Sequence, residues 1–477
     1  MTHSIMVIHI TTDNNIRVRF PLCLMLFSIV IILLIYIAFN HANIYHINRL
    51  ASLGLLYVLY LAYNSLDLRY SLFTIYNDWF KLNDTNIPLV YLQIILVIFL
   101  LIYTTVKQRY DISSIWIYLL IIINLIGLIL FPMVNDLLLL YIIIELQSYS
   151  LYIITGVHHK SYNATRGSML YFVTGGIASI GILLSSYFVY NTVGSCNITD
   201  ITNYYAIHNA SNLFDSLDIL VLALIFKMGL APLHSWSIAV YNYAPTYITG
   251  YISIVAKVSI LSWIYTNSNL IHSDLLIIVF YLSIIIAAYK PLFQVNFKTI
   301  LAYSGILNFG YLLLPVCLQD PSYYIYIIQY VITHILIFLC LLASNEFISK
   351  PNSQWSPIVN VNQLVIPNKL LSICLILCFF SLIGIPPLPG FYGKFYVIQS
   401  LIKYNFTFEA ISIVIFSVIA TYYYAYVIKQ LATNLMIPYN LPINKSLAFV
   451  ISLLLVFFIT YFVYIFNLLD VINIILS

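Results

Sequence analysis

Four ionisable residues fall inside or at the edge of long apolar runs. Glu145 sits near the middle of its run, in IIIELQSYSLYII, Lys227 in ALIFKMGLAPLHSW, Lys257 in YISIVAKVSIL, and Lys394 just after LIGIPPLPGFYG. Almost every other charge lies between such runs. A carboxylate and three amines in an apolar setting are groups that hold or release single protons. Placing one at a bilayer centre costs about 2.5–3.5 kcal/mol on insertion scales, so such residues mark ion pathways by default. The plainer alternatives are a structural ion pair or a lysine snorkelling to the interface. Lys394, near the end of its run, suits either reading. Leaving water disfavours a lysine's charge, and a nearby carboxylate restores it. Glu145 and Lys227 are therefore candidates for a switchable pair, in which the lysine keeps its proton when paired and gives it up when parted.

Two of the lysines stand beside helix breakers. Pro232 follows Lys227 by five residues, and Pro386, Pro387 and Pro389 precede Lys394 with Gly384, Gly390 and Gly393 among them. Proline removes a backbone donor and clashes with the preceding turn. In lipid the freed carbonyls must be satisfied by protein or water. A broken helix next to a buried lysine is thus a candidate point of water entry. Interrupted helices at matching places in two halves are the sequence sign of an ion site in a transporter.

The elements that position these residues follow from composition. The chain has 477 residues, 62% hydrophobic and 7% charged, where a soluble domain carries about 25% charged residues. Lipid must therefore be the solvent for most of the exterior. Scanning for apolar runs of about 20 residues gives fourteen spans, near 20–40, 47–63, 87–106, 113–133, 136–156, 165–190, 216–234, 243–266, 274–290, 299–318, 323–346, 369–393, 407–430 and 446–469. Period-2 alternation is absent and open sheets cannot span lipid, so the spans are helices. The connections 191–215 and 347–368 are the longest, and each is too short for an independent domain. The first is polar and placed outside; the second is an irregular inner loop. The net charge of +4 is small and dispersed, which argues against a nucleic-acid partner. Cys374 and Cys378 share a helix face in an apolar run and read as packing residues.

Orientation follows from the connections. Of the 19 Lys and Arg, eleven lie after odd-numbered spans, Lys107, Arg109 and Lys350 among them, and five on the other side. Both termini should then face outward. Lys298 is expected at the inner mouth of the tenth span, reaching bulk solvent or lipid phosphates, and Asp136 at the solvated outer end of the fifth. Residues 1–19 carry no convincing targeting signal. The abundance of Tyr, Ile and Asn, with their A/T-rich codons, hints at an organellar genome.

Taken together, the runs IELQSYSLYII, FKMGLAPLHSWSIAVYNYAP, QVNFKTILAYSGILNFGYLLL and SLIGIPPLPGFYGKFYV resemble the NADH dehydrogenase subunit 2 family, the antiporter-like proton-conducting subunits of respiratory complex I. The resemblance covers roughly residues 80–430. It implies an all-α polytopic membrane protein of about 14 transmembrane helices, with two inverted five-helix repeats that each contain a broken helix. The divisions are then 1–110 for helices 1–3, 111–266 and 267–430 for the repeats, and 431–477 for helix 14. By the same resemblance Glu145 and Lys227 match the family's glutamate–lysine pair, Lys257 its central relay lysine and Lys394 its terminal lysine. Gln147–Ser148 after Glu145 favours subunit 2 over its sister subunits 4 and 5. A lysine at 394 argues against subunit 4, and the chain lacks the long C-terminal extension of subunit 5. Many relatives carry histidine where this chain has Asn308, and amide nitrogen does not titrate near neutral pH. His334, in YVITHILIFL, is the candidate substitute relay, although a lone histidine in an apolar helix is more often a hydrogen-bonded packing residue.

Competing classes leave different marks. A membrane cytochrome needs axial histidines, usually paired. Here only His334 is clearly inside a span, with His158 and His159 in a loop and His234 at a span end. No cysteine cluster suits an iron–sulfur centre, and no glycine-rich phosphate loop is present. The chain is expected to bind no cofactor or metal, with NADH, FMN, iron–sulfur clusters and ubiquinone handled by other subunits of NADH:ubiquinone reductase. Its expected partners are other membrane-arm subunits and lipid. Its expected place is the mitochondrial inner membrane, with both termini on the intermembrane-space side. A stand-alone or Mrp-type cation/proton antiporter subunit is the main rival, and a purely structural scaffold is the third class.

Overall fold

The computed structural model describes residues 21–39, 44–65, 73–75, 78–82, 84–103, 116–157, 161–208, 211–344, 358–364, 366, 368–433 and 445–476. Residues 1–19, the loop lysines 107, 160 and 350, Arg109, and His158 and His159 lie outside them. Within them the fold is helical: α1 (Pro21–Phe39), α2 (Ile44–Ser65), α3 (Ile87–Tyr103), α4 (Trp116–Leu130), α5 (Leu137–Gly156), α6 (Tyr162–Val193), α7 (Ile198–His208), α8 (Ser211–Met228) and α9 (Ser235–Tyr243). There follow α10 (Thr246–Ile252), α11 (Val255–Thr266), α12 (Ser273–Tyr289), α13 (Phe297–Leu318), α14 (Ser322–Ser344), α15 (Lys369–Ile383), α16 (Pro389–Lys403), α17 (Thr407–Thr433) and α18 (Lys445–Leu476). A two-stranded antiparallel hairpin, β1 (Phe73–Ile75) with β2 (Phe80–Leu82), lies between α2 and α3.

Each of the fourteen apolar runs overlaps one of these helices within the described residues. Among the described residues nine spans are long and apolar enough to cross a membrane, and α1, α3 and α15 carry shorter apolar stretches. Chain breaks account for part of that difference. The seventh run ends in a break that separates α8 from α9, and the twelfth is split between α15 and α16. Gly229 at φ +68° ends the first half of one, and Gly384 at φ +98° ends the first half of the other. That left-handed region is open to glycine and strained for side chains. Pro389 then opens α16 in the first helical turn, where its missing N–H has no intrahelical partner to lose. The eighth run holds a milder interruption at Ser253–Ile254, between α10 and α11. The polar connection 191–215 is itself partly helical, as α7.

The two halves pack alike. In the first, α4 lies on α5, α5 on α6, and α6 on both segments of the broken pair α8 and α9. In the second, α12 lies on α13, α13 on α14, and α14 on both segments α15 and α16. The centre is formed by α10–α11, α13 and α14, whose apolar windows are 94%, 94% and 89% buried, against 39% for α6 and 33% for α17. The outer helices turn Phe172, Ile177, Ile180 and Tyr187 of α6 outward. Such faces suit lipid or a neighbouring subunit.

Candidate functional site

The first half places an acid and a base together. Glu145 is on α5 and Lys227 in the last turn of α8, and Lys227 Nζ donates to Glu145 Oε1 at 2.7 Å. The lysine side chain is 6% exposed and the glutamate 11%. A positive charge suits this place, because the carbonyl end of a helix is the negative end of its dipole. The break is sealed by α9 folding back. Trp236 Nε1 donates to the Phe226 carbonyl at 3.0 Å, and Ser237 Oγ to that of Gly229 at 3.3 Å. A Cβ at Gly229 would lie 2.5 Å from Ser237 Cβ, so the turn also needs glycine for space. His234 lies at the span end, as expected, and is buried in this turn, its Nδ1 3.1 Å from the Pro232 carbonyl oxygen.

A cavity adjoins the pair. It is lined by Gln147 and Tyr152 of α5, Lys227, Trp236, and Ala256 and Ile260 of α11, and offers about 20 Å³ to water centres. That is room for roughly one molecule. Its wall reaches the neighbour of Lys257, so it lies on the line from one lysine's helix to the other's. Gln147 fixes that spacing. Its Nε2 donates to the Gly127 carbonyl at 2.7 Å and its Oε1 accepts from Ser259 of α11 at 3.2 Å. Asn124 of α4 ties in as well, donating to the Gln147 carbonyl and accepting from Tyr251 of α10.

Lys257 is the most isolated of the four. It is 2% exposed, and among the described residues its Nζ has no hydrogen-bond partner. Two aromatic faces lie against it, Phe309 at 5.2 Å and Tyr241 at 5.4 Å from ring centre to Nζ. Contacts of this kind are worth about 0.5–2 kcal/mol, less than the several kcal/mol that burying an ion costs. Aromatic faces alone do not hold a permanent charge there, so the site suits a group that exchanges its proton. His334 lies within electrostatic range of Lys257, is 2% exposed, and stacks on Phe338 with neither ring nitrogen hydrogen-bonded among the described residues. Asn308 is committed elsewhere, its amide donating to the Ser304 carbonyl at 2.7 Å and accepting from Tyr326 at 2.8 Å.

Lys394 does not join these groups. Its Nζ donates to the Leu382 carbonyl at 2.8 Å and the Ile383 carbonyl at 3.0 Å, the open end of α15. Those carbonyls are the ones the break frees. Close approach of α16 makes this reach feasible: a Cβ at Gly390 would lie 1.8 Å from the Ser381 carbonyl oxygen. An ammonium has three donors, and two are used here. The neutral amine would retain two, enough for both carbonyls, so capping leaves one proton free to exchange.

One expectation is corrected. Lys298 does not reach bulk solvent. It is buried in the first turn of α13 and donates to the Ala244 carbonyl, at the end of α9, at 2.6 Å. The reason is a loop return that the sequence conceals: Phe297 N–H donates to the Val359 carbonyl and Val361 N–H to that of Val295, closing protein over this end. Asp136 is not merely solvated. It caps α5, accepting from the N–H groups of Leu138 and Leu139 at 2.8 and 3.2 Å. Among the described residues no group of three or more His, Cys, Asp or Glu is gathered to hold a metal ion.

Comparison with known proteins bears on the same residues. The family profile described as NADH:quinone oxidoreductase/Mrp antiporter, TM, matches residues 134–423, which contain Glu145 and the three lysines Lys227, Lys257 and Lys394. NADH-ubiquinone oxidoreductase chain 2 of Candida albicans is 60% identical over 472 residues, 98% of each chain. The chain of that name from Debaryomyces hansenii is 47% identical over 430 residues, 90% of this chain and 94% of the relative. In three dimensions a chain of respiratory complex I from Thermus thermophilus, solved with bound aureothin, superposes with a TM-score of 0.75. It is 19% identical, with 93% of this chain and 98% of that one covered, a likeness of fold.

Proposed function

The chain belongs to the NADH:quinone oxidoreductase/Mrp antiporter transmembrane family, and from that premise we propose how its buried groups move protons. It is a subunit of NADH:ubiquinone oxidoreductase, an H+-translocating enzyme, and works with the other subunits of that complex. Glu145, Lys227, Lys257 and Lys394 are the proton-transfer groups, with His334 as a relay. Glu145 controls whether Lys227 keeps its proton. When the pair parts, the proton moves through the adjoining cavity toward α11 and Lys257. Lys257 passes it into the second half, where Lys394 exchanges its spare proton at the mouth of the second break. Residues 111–266 and 267–430 act as the two inverted repeats, flanked by 1–110 and 431–477. The two halves' similar packing and their matched broken helices support this division.

The neighbours are membrane-arm subunits and lipid, and the cofactors NADH, FMN, iron–sulfur clusters and ubiquinone belong to other subunits. The location is the mitochondrial inner membrane with both termini on the intermembrane-space side. The observation that carries the reading is the 2.7 Å Glu145–Lys227 pair, buried at a chain break beside a cavity that reaches the helix of Lys257. The test is Glu145→Gln, assayed in sealed vesicles for proton movement per assembled complex. Coupled movement should fall while assembly persists, because glutamine still accepts from Lys227. Full coupled activity in that variant would reduce the glutamate to a structural partner.

A further inference from the structure

Three polar groups in the centre of the molecule lie near one another and, among the described residues, without a protein partner. Lys257 Nζ, Tyr330 Oη and both ring nitrogens of His334 are buried and, among the described residues, make no hydrogen bond. They come from two helices, α11 and α14, and meet at a third. A Cβ placed on Gly305 of α13 would lie 3.3 Å from Tyr330 Oη and 3.8 Å from Lys257 Nζ. Both atoms therefore converge on Gly305, a position of α13 that carries no side chain. Phe309, one turn along, packs its ring against both residues, 5.2 Å from Lys257 Nζ and 5.2 Å from the centre of the Tyr330 ring. Tyr330 in turn lies against His334, with ring centres 5.2 Å apart. Buried polar atoms are paired with protein or ordered water in nearly all native structures. Orphans gathered around a glycine, walled by aromatic rings, are a site for the smallest ligand that donates and accepts at once.

We propose that Lys257, Tyr330 and Gly305 hold a bound water, and that Tyr330 is the group through which Lys257 exchanges its proton with α14. This rests on the reading of Lys257 as a proton carrier. Lys257 Nζ gives a proton to the water as the water gives one to Tyr330 Oη. Tyr330 releases its own hydroxyl proton to a ring nitrogen of His334, one helical turn on. The reverse order reloads the lysine, and only N–H and O–H bonds change. A route along α14 bypasses Asn308, whose amide is held by Ser304 and Tyr326. Gly305 is then a residue selected for the space above it: a methyl group there enters the volume that the water occupies.

The experiment uses the whole complex in sealed vesicles and compares Tyr330→Phe, Gly305→Ala and Lys257→Met, each normalised to assembled complex. Phenylalanine keeps the ring contacts with Phe309 and His334, so packing is preserved and only the hydroxyl is lost. Coupled proton movement in Tyr330→Phe should fall about tenfold, the worth of one hydrogen bond to a charged group, with electron transfer slowed alongside it and the amount of assembled complex unchanged. Gly305→Ala should show the same loss, and a density map of the wild-type complex should place a water between Nζ and Oη. Full coupling in Tyr330→Phe beside an impaired Lys257→Met overturns the Tyr330 route and leaves the role of Lys257 standing. Full coupling in Lys257→Met overturns that role and this inference with it.

Discussion

Lys394 offers the sharpest separation of structure from chemistry. Its Nζ holds the Leu382 and Ile383 carbonyls, which the break at Gly384 leaves without helical donors. Lys394→Met removes both bonds. A buried carbonyl left unsatisfied costs about 1–3 kcal/mol, and the lost charge at a helix C-terminus adds about 0.3–1 kcal/mol. Lys394 is only partly buried, so water can reach the carbonyls and the lower figures apply, about 2–3 kcal/mol together. Against the 5–15 kcal/mol typical of a folded domain, that should visibly lower the amount of assembled complex on a native gel. Lys394→Arg acts on the other property. Arginine supplies donors to both carbonyls but holds its proton throughout the physiological range. It should assemble near the normal level and lose most coupled proton movement. Normal assembly of the methionine variant would sink the capping argument. Full coupling in the arginine variant would remove Lys394 from the proton path while leaving its capping role intact.

Three further outcomes follow from named contacts. Lys298→Met should reduce assembly as well as coupling, since the side chain ties the start of α13 to the Ala244 carbonyl; a variant with normal assembly would show that the tie is dispensable. Asp136→Asn should be tolerated because asparagine caps a helix as well as aspartate does, whereas Asp136→Ala should cost about 1 kcal/mol, read as a drop in the thermal midpoint of the purified complex; equal midpoints for the two would contradict the capping role. Protease added to sealed mitoplasts should cut both chain ends from the intermembrane-space side, and cleavage of the two ends from opposite sides would exclude an even number of spans.

Composition and run length determined the solvent, the helical class and the position of the spans, because a chain with 7% charged residues has too few to face water and lipid leaves the backbone only internal hydrogen bonds. The breaks in the seventh and twelfth runs were equally legible, since glycine and proline act on the backbone locally wherever they occur. The lysines and the glutamate stood out for the same reason: a charge is conspicuous in an apolar run. What each charge touches was not legible. Lys227 meets a carboxylate 82 positions away in the chain, Lys394 turns back on the preceding half-helix, and Lys257 faces aromatic rings. Lys298 read as a solvated lysine because nothing local foretells that residues 358–364 fold over the loop before α13. The milder interruption at Ser253–Ile254 carries neither glycine nor proline at the turn and left no mark in the pattern. Tyr330 and Gly305 were two ordinary residues of apolar helices until α11, α13 and α14 were packed together. Local steric rules and transfer free energies act on residues near in sequence, so the sequence reports them. The partner of a buried charge is chosen by which helices pack side by side, and only the tertiary structure decides that.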